Sequence, residues 1–208
     1  ISKHFADLNS PSPPRRLPEF GTFSHKDIRA FYHHEDEIGA TTISIETLQS
    51  EKQPKDSRKW QREQLLRSLS LQMMQKRLDQ LLQQPSSLLT SASIGGGYYL
   101  QHLKYAEIRA ISKPEHWKDS LSLIEQALRR ALQHGFTESE LTCVKNQLRS
   151  QITQRIQQAG TRDSKVLARR IINKLSSWQV IQSPRQNGDL LLPMLEEATV
   201  DTVNRTLS

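Results

Sequence analysis

The stretch that most constrains the fold covers residues 114–156. Trp117, Leu121, Ile124, Leu128 and Leu132 recur at helical spacing, which places one apolar stripe along a helix and leaves Lys118, Asp119, Glu125, Arg129 and Arg130 in water. Gly135 follows the last member of that stripe. With no Cβ it can enter the left-handed region that a side chain resists, stopping the helix while the last carbonyls find partners. Thr137-Glu138-Ser139-Glu140 then has the Thr-x-x-Glu form of a capping box, and Leu141, Val144, Leu148, Ile152 and Ile156 form a second stripe. These residues encode two helices joined at a stapled glycine corner, and both stripes need something to pack on.

What they pack on is bounded by composition. The 208 residues are 35% hydrophobic with a mean hydropathy of -0.64, which points to a core built from one-sided helices and a modest sheet. No run approaches the roughly 18 consecutive apolar residues of a membrane span, and no signal peptide opens the chain. Ile1 is not a start methionine, and Ile1-Ser2-Lys3-His4-Phe5 reads as a helix cut mid-turn, so a fragment is expected. The single Cys143 excludes an internal disulfide and, beside Val144, reads as a small core residue.

In chain order, Pro11, Pro13, Pro14 and Pro18 mark residues 10–18 as a linker after a helix end at residues 1–8. Residues 28–34 and 41–48 read as strands, the second with Ile43 and Ile45 on one face. Trp60, Leu65, Leu66, Leu69, Met73, Leu78, Leu81 and Leu82 form a wide helical stripe that Pro85 ends. Residues 88–99 and 104–112 read as two further strands. After the helix pair, Gly160-Thr161-Arg162-Asp163 is a break, and Val166, Leu167, Ile171, Ile172, Leu175 and Trp178 give a fourth helical stripe. Ser183-Pro184-Arg185-Gln186-Asn187-Gly188 has loop composition, residues 189–197 read as helical, and Thr199 reads as the cap of a last helix. The expected class is α+β: an antiparallel or mixed sheet covered on one face by several helices. The expected division is a preceding-domain end and linker at 1–20, an α+β domain at 21–198 and a truncated closing helix at 199–208.

The formal charge is +7. Its source is the segment from Lys145 through Arg149, Arg155, Arg162, Lys165, Arg169, Arg170 and Lys174, opposed only by Asp163. Such a face can attract nucleic acid, anionic lipid or an acidic peptide, or be a solvated helix surface. The cations alternate with Leu and Ile rather than aromatics, and no nucleic-acid-binding signature accompanies them. Zinc requires three or four convergent donors. Seven histidines are present, but neither H-E-x-x-H nor H-x-x-E-H occurs; His33-His34-Glu35 is the nearest approach to a metal site. Gly95-Gly96-Gly97 is followed by Tyr98-Tyr99 rather than Lys-Ser or Lys-Thr, so it is no phosphate cradle. Glycines in a strand mark a bulge or the close approach of another backbone. Gly95, Gly96, Gly97, Tyr98 and Tyr99 are therefore a candidate contact with a peptide or another domain, the alternative being an irregular hairpin end.

Taken in order, the motifs resemble the pitrilysin/insulinase family of zinc metallopeptidases, the inverzincins that include the mitochondrial processing peptidases. Residues 1–8 and the proline-rich stretch resemble the end of the family's first domain. Met73 through Arg77-Leu78-Asp79-Gln80-Leu81 resembles its Arg-Leu helix end, and Ala106-Glu107-Ile108-Arg109-Ala110 a central strand. His134-Gly135-Phe136-Thr137-Glu138-Ser139-Glu140-Leu141 resembles its Gly-Phe-Thr-x-x-Glu-Leu corner, and Thr199-Val200-Asp201-Thr202-Val203-Asn204 its closing helix start. The resemblance implies the second, non-catalytic domain, with no cofactor of its own and zinc held elsewhere in the full-length protein. Where such a domain supplies substrate contacts, the family carries an Arg and later a Tyr after the Arg-Leu pair; here Leu82 and Leu88 or Leu89 stand there. Expected partners are the other domains of the same peptidase and a peptide substrate, not nucleic acid, with self-association left open. Exported bacterial relatives favour a periplasmic or other exported location. The competing readings are a basic helical nucleic-acid-binding module, built on the face of Lys145, Arg149, Arg155, Arg162, Arg169 and Arg170, and an inactive scaffold homologue.

Overall fold

Alternation along three strands builds the sheet. In the computed structural model, which describes Gly21 and residues 27–207, β1 (Thr41–Ser50), β2 (Leu89–Tyr99) and β3 (Leu103–Ser112) are antiparallel in the order β1-β3-β2. The register sets Ile43 against Ala110 and Ile45 against Ile108, and on the other side Ala92 against Ala110 and Ile94 against Ile108. Because side chains alternate between faces, these six share one face, and Ser44, Glu46, Glu107, Arg109, Ser93 and Gly95 share the other. The helix end expected at residues 1–8 and the linker at 10–18 lie outside the described residues.

The apolar face is covered by α1 (Arg58–Leu82), which packs on β2, and α2 (Trp117–His134), which packs on β1 and β3. Leu69, Met73, Met74 and Leu78 of α1 and Ile124 of α2 are fully buried there, and burying side chains of this kind stabilises by about 1.5–3 kcal/mol each. The remaining helices build outward. α3 (Glu138–Gln157) packs on α1 and on α5 (Pro184–Glu197), and α6 (Val200–Asn204) closes against α1 with Val203 in the same core. Between them α4 (Ser164–Ser176) buries none of its residues. The class is α+β with a purely antiparallel described sheet.

The glycine corner forms as its sequence demands. Gly135 has φ +66° and its N–H donates to the Ala131 carbonyl, and Thr137 and Glu140 complete the capping box from both directions. Elsewhere the structure departs from expectation. Residues 28–34 are not a strand: Ile28, Phe31 and Tyr32 are exposed, no described strand pairs with them, and His33 and His34 bond to Glu35 and Asp36 beside them. The α2 stripe is rotated, with Ser120, Ile124 and Ala131 innermost and Trp117 and Leu132 largely in solvent. Cys143 is exposed: a neighbour of inward-facing Val144 sits about 100° away around the helix.

Residues 184–188 are helical rather than a loop, with Ser183 as the N-cap. Ser183 accepts the Gln186 N–H while the Gln186 side chain accepts the Ser183 N–H, with Pro184 at the first helical position. Gly188 belongs there because α5 crosses α3 closely. A Cβ on it would lie 2.6 Å from Ile156 Cδ1.

Candidate peptide-contact and domain-contact surface

The triglycine lies within β2, at one edge of the described sheet. Gly95, Gly96 and Gly97 pair with Glu107, Ala106 and Tyr105 of β3. Gly96 faces inward, and a Cβ there would approach the Tyr105 carbonyl oxygen to 3.1 Å, so the strand runs too close for a larger residue without adjustment. Gly97 lies under the Tyr105 ring, while a Cβ at Gly95 would meet nothing within 4 Å. The outer surface of the strand is therefore bare at Gly95 and roofed by Tyr105 at Gly97.

Its free edge is partly closed from α1. Gln75 donates to the Ala92 carbonyl at 3.0 Å and accepts the Ile94 N–H at 3.1 Å, so these backbone groups face away from β3. By alternation Gly96 and Tyr98 turn their backbone N–H and C=O to the same edge, where no described side chain bonds them.

Tyr98 fixes the end of this surface. Its hydroxyl donates to Glu51 Oε1 at 2.5 Å, Lys104 Nζ donates to Glu51 Oε2 at 3.1 Å, and its ring meets Trp60 edge to face at 5.6 Å. Burial, then the bond to Glu51, pushes the Tyr98 hydroxyl up to about 12, whereas that same bond holds Glu51 below its usual range against the opposing effect of burial. Tyr98 is thus a neutral donor tethered to Glu51. Tyr99 is exposed.

The basic residues do not form one continuous free face. Lys145 Nζ donates to the Glu196 and Ala198 carbonyls, both at 3.0 Å, at the end of α5, and Arg149 pairs with Glu196, holding that carboxylate below its ordinary range. Lys145 caps a helix C-terminus, where positive charge complements the helix dipole, and Arg149 is held by the Glu196 carboxylate. Arg162 Nε donates to the Ala159 carbonyl at 2.9 Å. Arg155 stands on α3, and Arg169 and Arg170 stand on α4. His33 and His34 remain exposed, and among the described residues no three His, Cys, Asp or Glu side chains converge where a metal ion could be held. No described helix is long and apolar enough to cross a membrane. Of the leucines at the Arg/Tyr positions, Leu82 packs against the core, Leu89 is buried in β2 and Leu88 is exposed.

A second site was not singled out by the sequence beyond its motifs. Arg77, late in α1, forks onto Glu140 with Nε to Oε1 at 2.6 Å and Nη2 to Oε2 at 2.9 Å. It also donates to the Gly135 carbonyl at 2.8 Å and lies 4.6 Å from the centre of the Phe136 ring. From the chain's other end, Asn204 accepts the Phe136 N–H at 2.8 Å and donates to the Phe136 carbonyl at 3.3 Å. Arg77 foremost holds the Glu140 carboxyl below its usual range. The Arg-Leu, glycine-corner and closing-helix motifs meet at one junction, and its role is structural: Arg77, Glu140 and Asn204 are each bonded to a neighbour.

The family model for the peptidase M16 inactive domain matches residues 1–148, a span that holds the first two of those motifs. The chain belongs to that family. No curated protein matches it. Among solved structures, the first half of the periplasmic protease PqqL from Escherichia coli is similar at TM-score 0.73 and 18% identity, covering 81% of this chain and 36% of that one. A predicted insulinase family protease from Yersinia pestis is similar at TM-score 0.70 and 16% identity, covering 83% and 37%. A peptidase M16 inactive domain from Pseudomonas fluorescens is similar at TM-score 0.56 and 17% identity, covering 81% and 37%. At these identities the likeness establishes the fold. The chain spans little more than a third of the length of each of these structures. As an M16 inactive domain it belongs to a family of non-catalytic protease domains.

Proposed function

We propose that this M16 inactive domain forms part of the wall of a peptide chamber in a zinc peptidase, while another domain holds the zinc and performs the hydrolysis. The match to the inactive-domain family carries the reading. The described residues offer no donor cluster that fits zinc, so no step of the hydrolysis is assigned to them. Their contribution is shape and binding. An extended peptide running along β2 meets backbone groups of Gly96 and Tyr98 at the free edge, where main-chain pairing gives affinity without demanding a particular side chain. Gln75 ends that edge at Ile94. Arg155 and Arg169 add positive potential that favours acidic or C-terminal carboxylate groups. The similarity to periplasmic PqqL favours an exported location.

Peptide hydrolysis by the full-length protease and by this chain alone, each supplied with zinc, tests the division of labour; turnover by the chain alone would overturn it. Gly95→Leu in the full-length protein tests the wall, because a side chain there meets nothing in the domain itself. KM is expected to rise with kcat retained, and an unchanged KM removes β2 from the chamber.

A further inference from the structure

Three described residues other than glycine have positive φ: Leu100 at 49°, Gln101 at 63° and Trp178 at 52°. Leu100 and Gln101 form the corner between β2 and β3, closed by the His102 N–H donating to the Tyr99 carbonyl at 3.2 Å. Two left-handed central residues make this the mirror-image hairpin turn that ordinarily takes Asn-Gly, so a leucine there is strained. Trp178 lies just past the end of α4.

Side chains tie the two places together. The Gln101 amide donates to the Ser176 carbonyl, and Gln53 donates to the Ser177 carbonyl at 3.0 Å while its own backbone N–H donates to the Gln101 carbonyl at 2.8 Å. Lys52 Nζ lies 5.9 Å from the centre of the Trp178 ring, and Asp56 accepts the Val180 N–H at 2.7 Å. Loop 51–57, the hairpin corner and the end of α4 are one unit drawn from three distant parts of the chain.

This polar-bonded unit presents apolar surface outward. Tyr99, Leu100, Leu175, Trp178 and Val180 are exposed, and Ile172 extends the surface along α4. Contiguous exposed apolar surface marks an interaction site, and strained residues persist and cluster where a contact geometry has to be held. Cations border it. Arg170 and Lys174 line a shallow groove along α4 with Ser177 and Gln179, and the carboxylate of Asp56, which accepts from Gln61 and the Val180 N–H, lies close enough to Lys174 to attract it.

We propose that this patch is the docking surface for another domain of the same protease, which presents an apolar segment flanked by Asp or Glu side chains. The inference rests on the reading of the chain as one domain of a peptidase. A domain of the same polypeptide is held at high effective concentration, and carboxylates at the edge of its apolar segment would meet Lys52 and Arg170, while Lys174 already faces Asp56.

Hydroxyl-radical footprinting of the full-length protease tests it, because the domain carries its own standards. Trp178 and Trp117 are each 44% exposed here and Trp60 is 5% exposed. Docking is expected to slow modification of Trp178 to the rate of Trp60. Leu175→Asp, at an exposed position, is expected to restore it by setting a carboxylate against the partner's own. Modification of Trp178 several-fold faster than Trp60 would overturn the proposal, as would an unchanged rate in the Leu175→Asp variant. Protection that disappears on dilution assigns the patch to a second copy of the chain and also overturns it. Peptide hydrolysis assayed on the same preparation keeps the two readings separate: an active protease with a freely modified Trp178 sinks the docking surface alone.

Discussion

Gly135→Ala is expected to be the most damaging methyl group that can be added to this domain. The backbone there, at φ +66° and ψ -162°, lies in a region essentially reserved for glycine, and forcing another residue into it costs about 1–3 kcal/mol. The added Cβ would sit 2.6, 2.8 and 2.9 Å from Nδ2, Cγ and Oδ1 of Asn204. Asn204 is not free to swing away, because it bonds both the N–H and the carbonyl of Phe136. Losing those two bonds costs about 1 kcal/mol each. The total is about 3–5 kcal/mol against a net stability of roughly 5–15 kcal/mol. Urea unfolding followed by tryptophan fluorescence measures it, with an unchanged slope confirming that the same surface unfolds. The double mutant locates the cause. Asn204→Ala alone loses the two Phe136 bonds, about 2 kcal/mol, but in the Gly135→Ala background those bonds are already broken, so little further loss is expected. Gly160→Ala is the control, since a Cβ there meets nothing within 4 Å, and it is expected to stay within about 0.5 kcal/mol. A Gly135→Ala cost below about 1 kcal/mol, or additive losses in the double mutant, refutes the assignment of the corner to strain and close approach.

Arg77→Met removes the forked bond to Glu140 and the bond to the Gly135 carbonyl, both partly buried, and is expected to cost about 2–4 kcal/mol in the same unfolding assay. Its pH dependence follows from the depressed Glu140 pKa. The pair contributes in full above the ordinary carboxyl value of 4.5 and is lost as pH falls through the lower folded value, so the wild-type advantage over Arg77→Met should shrink only in that acid window; an advantage independent of pH there counts against the ion pair. At the alkaline end Tyr98, pushed up to about 12, should ionise late in an ultraviolet absorbance titration. Its contribution is intact below pH 10 and lost as pH rises through that value, Tyr98→Phe should remove the late transition at about 1 kcal/mol in stability, and a late transition that survives the substitution refutes the tether to Glu51.

The parts of the fold that could be read from the sequence are those whose partners lie within one helical turn or one strand repeat. Thr137 and Glu140 cap one another across three residues, and Ile43 and Ile45 alternate within one strand, so local spacing carries the whole instruction. Ser183 and Gln186 carry an equally local capping box, yet Gly188 drew the segment towards a loop. Its actual reason, the approach of Ile156 from α3, is tertiary and has no local sign. The α4 stripe shows the same limit from the other side: periodicity correctly gives a helix, but only packing tells whether its apolar face is covered, and within the described residues it is not. Residues 28–34 have strand composition, but a strand exists through its ladder partner.

The same distinction explains why family was easier to read than function. Arg77, Gly135, Glu140 and Asn204 stand as far as 127 positions apart in the numbering, yet each falls in a recognisable motif because each has one acceptable identity. Only glycine tolerates that backbone beside Asn204, and only a planar fork reaches a carboxylate, a carbonyl and a ring together. The surfaces proposed to meet a peptide and a neighbouring domain are built differently. β2 offers backbone edge where glycine removes side chains, and the α4 patch is set by Gln53, Gln101 and a strained Leu100, residue types whose identity announces nothing. A reader of the sequence finds the motifs of the junction, though not their meeting, because their chemistry is exclusive. The contact surfaces emerge only when the hairpin corner and the end of α4 are seen to share hydrogen bonds, so the two sets of substitutions should separate cleanly: those at the junction lower stability, and those at Gly95 or Leu175 leave the domain folded and change what it meets.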